Sequence, residues 1–127
     1  MGGVVLLTGA SGFLRTEIAR RLLRRSDVRL VALVMASDVG DARSTLARAW
    51  SYDPDLEEAL ARGLVEVAAG DVRRGGLGFE AHLHQELVRR VTHIIHAAAD
   101  LRIDAAPDDL RPTNVDGVAN IFAFARA

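Results

Sequence analysis

Two glycines near the start of the chain could bring backbone amides against a phosphate group. Gly9 and Gly12 lie between an apolar run, Val4–Leu7, and a segment with helical spacing that begins near Phe13. In a strand–turn–helix unit the first glycine permits a tight turn, and the second lets the backbone approach a pyrophosphate. The N–H groups that begin the helix then face the phosphate charge. The pattern predicts the opening unit of a dinucleotide-binding fold.

The third position of this pattern departs from it. Arg15 stands where a glycine is expected to let the helix pack closely on the sheet. Its guanidinium could occupy part of the pyrophosphate space, or it could swing out and pair with a phosphate. We favour weakened binding, because the shape of such a turn is tightly limited. A glycine turn with a purely structural role is the remaining alternative.

Composition excludes several classes of protein and of chemistry. The 127 residues correspond to one domain, and no apolar run approaches the roughly 18–20 residues that span a bilayer. A net charge of −1 argues against nucleic acid or an anionic membrane as the main partner. A chain without cysteine fits a cytoplasmic protein, and a chain without lysine excludes Schiff-base chemistry and a lysine-assisted tyrosine acid.

Apolar runs and helical segments alternate along the chain, which predicts an α/β fold. The expected strands are Val4–Leu7, Arg29–Val34, Leu64–Ala69 and Thr92–Ala97, and the expected helices are Phe13–Arg25, Asp41–Ala49, Asp55–Arg62, Glu80–Arg90 and one from Asp108 or Asp109 to Ala127. Right-handed crossovers then give a Rossmann-like, doubly wound parallel sheet in the order three-two-one-four. Such folds normally continue with further strands. We therefore expect residues 1–127 to be the N-terminal half of a larger domain, with a C-terminal half or a second chain covering strand four.

Four segments, in order and correctly spaced, resemble the extended short-chain dehydrogenase/reductases. They are Val4–Leu14, Gly70–Val72, Thr92–Ala99 and Leu110–Gly117, and they span nearly the whole chain. The residue pattern of the last two segments is most similar to the NADPH-dependent thioester reductase and fatty acyl-CoA reductase branch. The resemblance implies the NADP- or NAD-binding portion of an oxidoreductase that reduces an acyl thioester or a carbonyl.

The resemblance also implies a set of cofactor-binding residues. Those of the pyrophosphate turn are Thr8, Gly9, Ala10, Ser11 and Gly12, with Phe13 and Leu14 beginning the helix above it. Asp71 and Val72 are implied to lie by the adenine, and His96, Ala97 and Ala98 beneath the cofactor. Asn114 is implied to brace the active-site end of the sheet. The Asp71 carboxylate would accept from the exocyclic amine. Taken alone, Asp71 could equally be a turn or cap residue, His96 a hydrogen-bonded core histidine, and Asn114 a brace for its own helix.

Two further departures concern cofactor choice and catalysis. Met35 ends the second strand where the resembling reductases place an arginine for the 2′-phosphate of NADPH, and Asp38 could instead accept from a ribose 2′-hydroxyl, which favours NADH. The catalytic Tyr-x-x-x-Lys is missing, since Tyr52 is the only tyrosine. We therefore assign neither a catalytic residue nor a metal ligand to this chain. A non-catalytic Rossmann module with a structural or interaction role is the alternative, and a methyltransferase fits the motifs less well.

Overall fold

Strands and helices alternate throughout the computed structural model, which describes residues 3–9, 13–25, 27–98 and 106–127, with the backbone alone for residues 13–15. The strands are β1 (Gly3–Thr8), β2 (Val28–Met35), β3 (Val65–Gly70) and β4 (His93–His96). The helices are α1 (Phe13–Leu23), α2 (Val39–Trp50), α3 (Pro54–Ala61), α4 (Ala81–Arg90), α5 (Pro107–Arg111) and α6 (Gly117–Arg126). A 3₁₀ turn, Gly75–Gly78, precedes α4, and a π-helical turn, Pro112–Asp116, joins α5 to α6.

The described strands form one parallel sheet in the order β3-β2-β1-β4, as the sequence predicted. Thr8, the last residue of β1, pairs with Leu33 of β2 on one side and with His96 of β4 on the other. The direction in which the chain adds strands reverses between β1 and β4. In open α/β sheets, ligands bind in the crevice outside the carboxyl ends of the strands at such a switch point.

Helices pack on both faces of the sheet. Successive residues of β1 point to opposite faces, so neighbouring residues contribute to different apolar clusters. Leu7 belongs to an apolar cluster with Trp50 and residues of α1, α2 and α3. Leu6 belongs to a second cluster with Leu87 of α4 and Phe124 of α6. No helix of the described residues has the length and apolar character that a membrane span requires.

Most element boundaries differ from the prediction by one or two residues, and local contacts explain the differences. The N–H of Thr92 donates to the carbonyl oxygen of Val4 before the β4 pairs begin, and the N–H of Ala97 donates to a side chain, so β4 is shorter than predicted. At the C-terminal end of α1, the N–H of Arg25 donates to the carbonyl oxygen of Leu22 in a turn. The ladder of α1 therefore stops at Leu23.

The predicted single final helix is wrong in detail. Pro112 has no N–H to donate and its ring crowds the preceding turn. The chain responds with the π-helical turn, in which the N–H of Gly117 donates to the carbonyl oxygen of Pro112. The final segment is therefore α5, a π turn and α6, beginning at Pro107 rather than at Asp108 or Asp109.

Polar contacts fix α1, the helix that follows the glycine turn, against α3. Arg20 pairs with Asp53, whose other carboxylate oxygen accepts from the N–H groups of Asp55 and Leu56 at 3.1 and 3.3 Å and so caps α3. The hydrogen bond from Arg20 holds the pKa of Asp53 below its ordinary value. These contacts join α1 to the start of α3.

Trp50 makes a large contribution to the core on this side. We expect Trp50→Ala to lower the free energy of unfolding by about 3–5 kcal/mol, because a fully buried aromatic leaves a cavity that the surroundings fill only partly. Phe122→Ala is the control, since its side chain is 61% exposed, and it should cost less than about 0.5 kcal/mol. Denaturant unfolding measures both, and equal losses would contradict this description of the core.

Candidate dinucleotide site

The side-chain hydroxyl of Thr8 ties the carboxyl end of β1 to that of β4. Thr8 is fully buried, and its Oγ1 accepts from the N–H groups of Ala97 and Ala98 at 3.0 and 3.1 Å. These two bonds use both of its lone pairs. Its own hydrogen must therefore be donated to Nδ1 of His96, which lies 2.7 Å away.

This bond determines the protonation state of His96. Since Nδ1 accepts a hydrogen bond, the neutral ring carries its proton on Nε2. Partial burial acts in the same direction and lowers the pKa of His96 from its ordinary value of 6.5. His96 is therefore an uncharged donor at neutral pH, at the position where the sequence predicted a cofactor contact.

The backbone of Gly9 passes so close to the end of β4 that a side chain would not fit. A Cβ atom at this position would lie 2.9 Å from the carbonyl carbon of Ala97 and 2.9 Å from the nitrogen of Ala98. Gly9 also has a φ of +74°, in the left-handed region that favours glycine. The turn after β1 therefore needs glycine for two independent reasons.

The rest of the predicted pyrophosphate turn lies mostly outside the described residues. This is the case for Ala10, Ser11 and Gly12, and for the side chains of residues 13–15, which include Arg15. The backbone of Phe13 and Leu14 forms the first positions of α1, as predicted.

At the end of β3, the carboxylate of Asp71 organises a tight loop. It accepts from the backbone N–H of Arg73 at 2.9 Å and from Nε and Nη2 of the same residue at 3.0 and 2.9 Å. These bonds hold the pKa of Asp71 below its ordinary value. The loop closes where the N–H of Asp71 donates to the carbonyl oxygen of Leu77 at 2.7 Å, with Leu77 at a φ of 58° and Gly78 at 66°. The turn-forming role weighed for Asp71 is present, and contact with adenine stays a prediction.

Helix α6 packs directly on Val72, the buried residue that follows Asp71. A Cβ atom on Gly117 would lie 3.2 Å from Cγ2 of Val72, and Nδ2 of Asn120 donates to the carbonyl oxygen of Val72 at 2.8 Å. Asn114, the predicted brace, is exposed in the π turn, and its role stays a prediction. Sequence reasoning missed Asn120, although a glycine within a helical segment, three residues before it, was a signal of close approach.

The ends of β2 and β3 bring together residues that the sequence analysis did not connect. Met35 is 54% exposed and pairs with Gly70, and its sulfur lies 3.5 Å from Nη2 of Arg73. Oδ1 of Asp38 accepts from the N–H of Asp41 at 2.8 Å and so caps α2. A polar residue just before a helix was the signal for this cap. A ribose contact from Asp38 stays a prediction.

The described site has groups of the kinds that contact a ligand. It offers backbone approach at Gly9, a neutral donor at His96 and a guanidinium at Arg73, all at the carboxyl edge of the sheet. Among the described residues, no group of three or more histidine or acidic side chains could hold a metal ion.

Comparison with known proteins agrees with this geometry. The NAD-binding family model described as male sterility protein matches residues 7–127. An isonitrile lipopeptide synthase of Mycobacterium tuberculosis is 39% identical over 128 residues, which cover 95% of this chain and 5% of that protein. A carboxylic acid reductase of Mycobacterium marinum is 35% identical, with coverage of 95% and 11%.

Solved structures give the same result. The terminal R domain from the myxalamid PKS-NRPS pathway superposes with a TM-score of 0.86 at 28% identity, covering 97% of this chain and 31% of that one. The reductase domain of a non-ribosomal peptide synthetase from M. tuberculosis superposes with a TM-score of 0.80 at 35% identity, covering 98% and 30%. The chain therefore spans about a third of these reductase domains.

The two reasons for glycine at position 9 can be separated experimentally. Gly63 also has a φ of +74°, but a Cβ there would meet nothing within 4 Å. We expect Gly63→Ala to cost about 1–2 kcal/mol of unfolding free energy from backbone strain alone. Gly9→Ala should cost a further 1–3 kcal/mol, roughly, from the contact with the β4 backbone. Equal losses in denaturant unfolding would show that the close approach is absent.

The protonation state of His96 can be read by NMR. We expect its ring to titrate below 6.5 and its ¹⁵N shifts to report the proton on Nε2. Thr8→Val should raise this pKa, since the lost bond favours the neutral form, whereas Thr8→Ser keeps the hydroxyl and should leave it unchanged. A ring with its proton on Nδ1 would contradict the assignment.

The same group makes stability depend on pH. The folded protein binds this proton less readily than the unfolded chain, because the folded-state pKa is the lower one. The contribution of His96 to the free energy of unfolding is therefore complete above pH 6.5 and is lost as the pH falls from there through the folded-state pKa. Unfolding of the native chain and of His96→Gln across this range measures it, and parallel curves would contradict it.

Proposed function

The chain belongs to the NAD-binding male sterility family, and from this premise we propose that it holds NAD(P)H for the reduction of an acyl thioester or a carbonyl. One observation carries the proposal. The tie from Thr8 to the backbone of Ala97 and Ala98, together with the left-handed Gly9, brings the chain after β1 close to the end of β4 at the switch point of the sheet. A side chain at Gly9 would collide with the backbone of Ala97 and Ala98, so the structure requires glycine at the position where a dinucleotide-binding turn also needs one.

The proposed binding roles follow the carboxyl edge of the sheet. The residues are Gly9, Ala10, Ser11, Gly12, Phe13 and Leu14 for the pyrophosphate, Asp71 and Val72 for the adenine, His96, Ala97 and Ala98 beneath the ribose, and Asn114 as a brace. His96 would donate from Nε2, and the small side chains of Ala97 and Ala98 would let the ligand approach the backbone. Asp71 would accept from the exocyclic amine in exchange for part of its contact with Arg73, because its four hydrogen bonds to that residue use about four lone-pair sites.

When bound, the cofactor supplies a hydride to the substrate carbon, and this chain's own residues bind and orient it. The proton donor is a separate matter. The sequence holds no lysine, and the hydroxyl of Tyr52 lies 2.9 Å from Oγ1 of Thr16, on the α1 side of the sheet. The proposal therefore places the acid on a part of the parent reductase outside residues 1–127. A Rossmann module without catalysis is not favoured, since reductases supply the matched structures.

The open side of β4 is the proposed contact with that part. Within the described sheet, β4 pairs only with β1, and exposed or partly exposed apolar side chains, including Ile94 and Phe122, lie beside it. A strand edge of this kind pairs readily with further backbone. The cytoplasm is the proposed location, supported by a sequence without cysteine.

Titration of the purified chain with NADPH and with NADH, followed by calorimetry, tests the proposal. We expect the native chain to bind, and Arg15→Gly to bind about tenfold more tightly, since glycine leaves more room for the pyrophosphate. Arg24→Gly, which removes an exposed arginine just after α1, is the control and should leave the affinity unchanged. If neither the native chain nor Arg15→Gly binds while circular dichroism shows both to be folded, the proposal is wrong.

A further inference from the structure

Arg73 lies beside the end of β2, although it is 38 residues away from Met35 in the sequence. The pairing of Met35 with Gly70 sets the ends of β2 and β3 side by side, and the loop after β3 then turns back. This places Nη2 of Arg73 3.5 Å from the sulfur of Met35. In dinucleotide-binding folds the region just after the second strand faces the 2′-position of the adenosine ribose.

The guanidinium of Arg73 is held in position by Asp71. Its Nε lies 3.0 and 3.2 Å from the two oxygens of Asp71, and its Nη2 lies 2.9 Å from one of them. Because Asp71 also accepts from the backbone N–H of Arg73, both ends of the arginine are fixed to one carboxylate. A side chain fixed in this way loses less conformational freedom when it binds a ligand.

The fixed guanidinium still has donors to offer. An arginine has five N–H donors, and the two on Nη1 have no partner within the described part of the chain. The side chain is 45% exposed, so these donors are accessible to a ligand.

The charge around Arg73 favours an anion. Arg74 lies nearby, with Nε 3.8 Å from Asp71, so two guanidiniums surround a single carboxylate. The carboxylate that could instead favour a ribose hydroxyl, Asp38, uses Oδ1 to cap α2. Around Asp71 itself, two guanidiniums therefore face one carboxylate, while the carboxylate of Asp38 is engaged at the start of α2.

The geometry points to Arg73 as the residue that recognises the 2′-phosphate of NADPH, with Asp71 as its positioning residue. This inference rests on the proposed function. An arginine fork matches the oxygens of a phosphate, and the 2′-phosphate is the group that distinguishes NADPH from NADH. Arg73 would supply, from the loop after β3, the charge that Met35 does not supply from the end of β2. The chain is then selective for NADPH.

Binding of adenosine fragments tests the inference without any turnover. The ligands are NADPH and NADH, and also adenosine 2′,5′-bisphosphate and 5′-AMP, which differ only in the 2′-phosphate. We expect Arg73→Ala to weaken the binding of the two 2′-phosphorylated ligands by about 10- to 100-fold and to change the other two by less than about twofold. Arg73→Lys keeps the charge without the fork and should retain part of the preference.

Arg89→Ala is the matched control. Arg89 is exposed in the last turn of α4, four residues before β4 begins, so it lies at the opposite edge of the sheet. Its loss should leave all four affinities unchanged.

The possible outcomes separate the inference from the proposed function. If Arg73→Ala weakens all four ligands equally, or none of them, Arg73 does not recognise the 2′-phosphate, while dinucleotide binding by the native chain still stands. If the folded native chain binds none of the four, the proposed function fails and the inference fails with it.

Discussion

The hydroxyl of Thr8 is the contact on which the described site depends. It bonds to three groups that all belong to the end of β4, and so joins two segments almost ninety residues apart at the point where the strand order reverses. Because Thr8 is fully buried, a valine of similar shape would leave the N–H groups of Ala97 and Ala98 without this acceptor. The tautomer of His96 follows from this one anchor, which directly precedes the left-handed turn at Gly9.

The strand order and the glycine turn were predictable from the sequence, whereas contacts between side chains and groups distant in the sequence were not. Strand order and the glycine turn follow from alternating apolar segments, right-handed crossovers and the spacing of Gly9 and Gly12. The approach of Arg73 to Met35 depends on strand register and on a loop that contains a left-handed Leu77, and no short-range pattern encodes these. The same limit explains why Asn120 was missed, since its partner, the carbonyl of Val72, lies 48 residues away.

Of the roles weighed for Asp71, the structure shows the one in the turn after β3. Its carboxylate forms the turn after β3 and orients Arg73, and the ion pair keeps it ionised, as the lowered pKa indicates. An ionised carboxylate accepts hydrogen bonds more strongly than a neutral acid does. The turn-forming role therefore keeps Asp71 ionised, with its hydrogen bonds directed to Arg73.

The contact between Arg73 and Met35 affects what can be concluded from Met35. From the sequence alone, a methionine at the end of β2 indicates that a phosphate contact has been lost and that the site is degenerate. Across the sheet, however, a guanidinium lies 3.5 Å from the methionine sulfur and is held by Asp71, in the loop that follows the neighbouring strand β3. A phosphate responds to the charge and donors that surround it, whichever strand supplies them. Met35 therefore does not by itself argue against a cofactor with a 2′-phosphate.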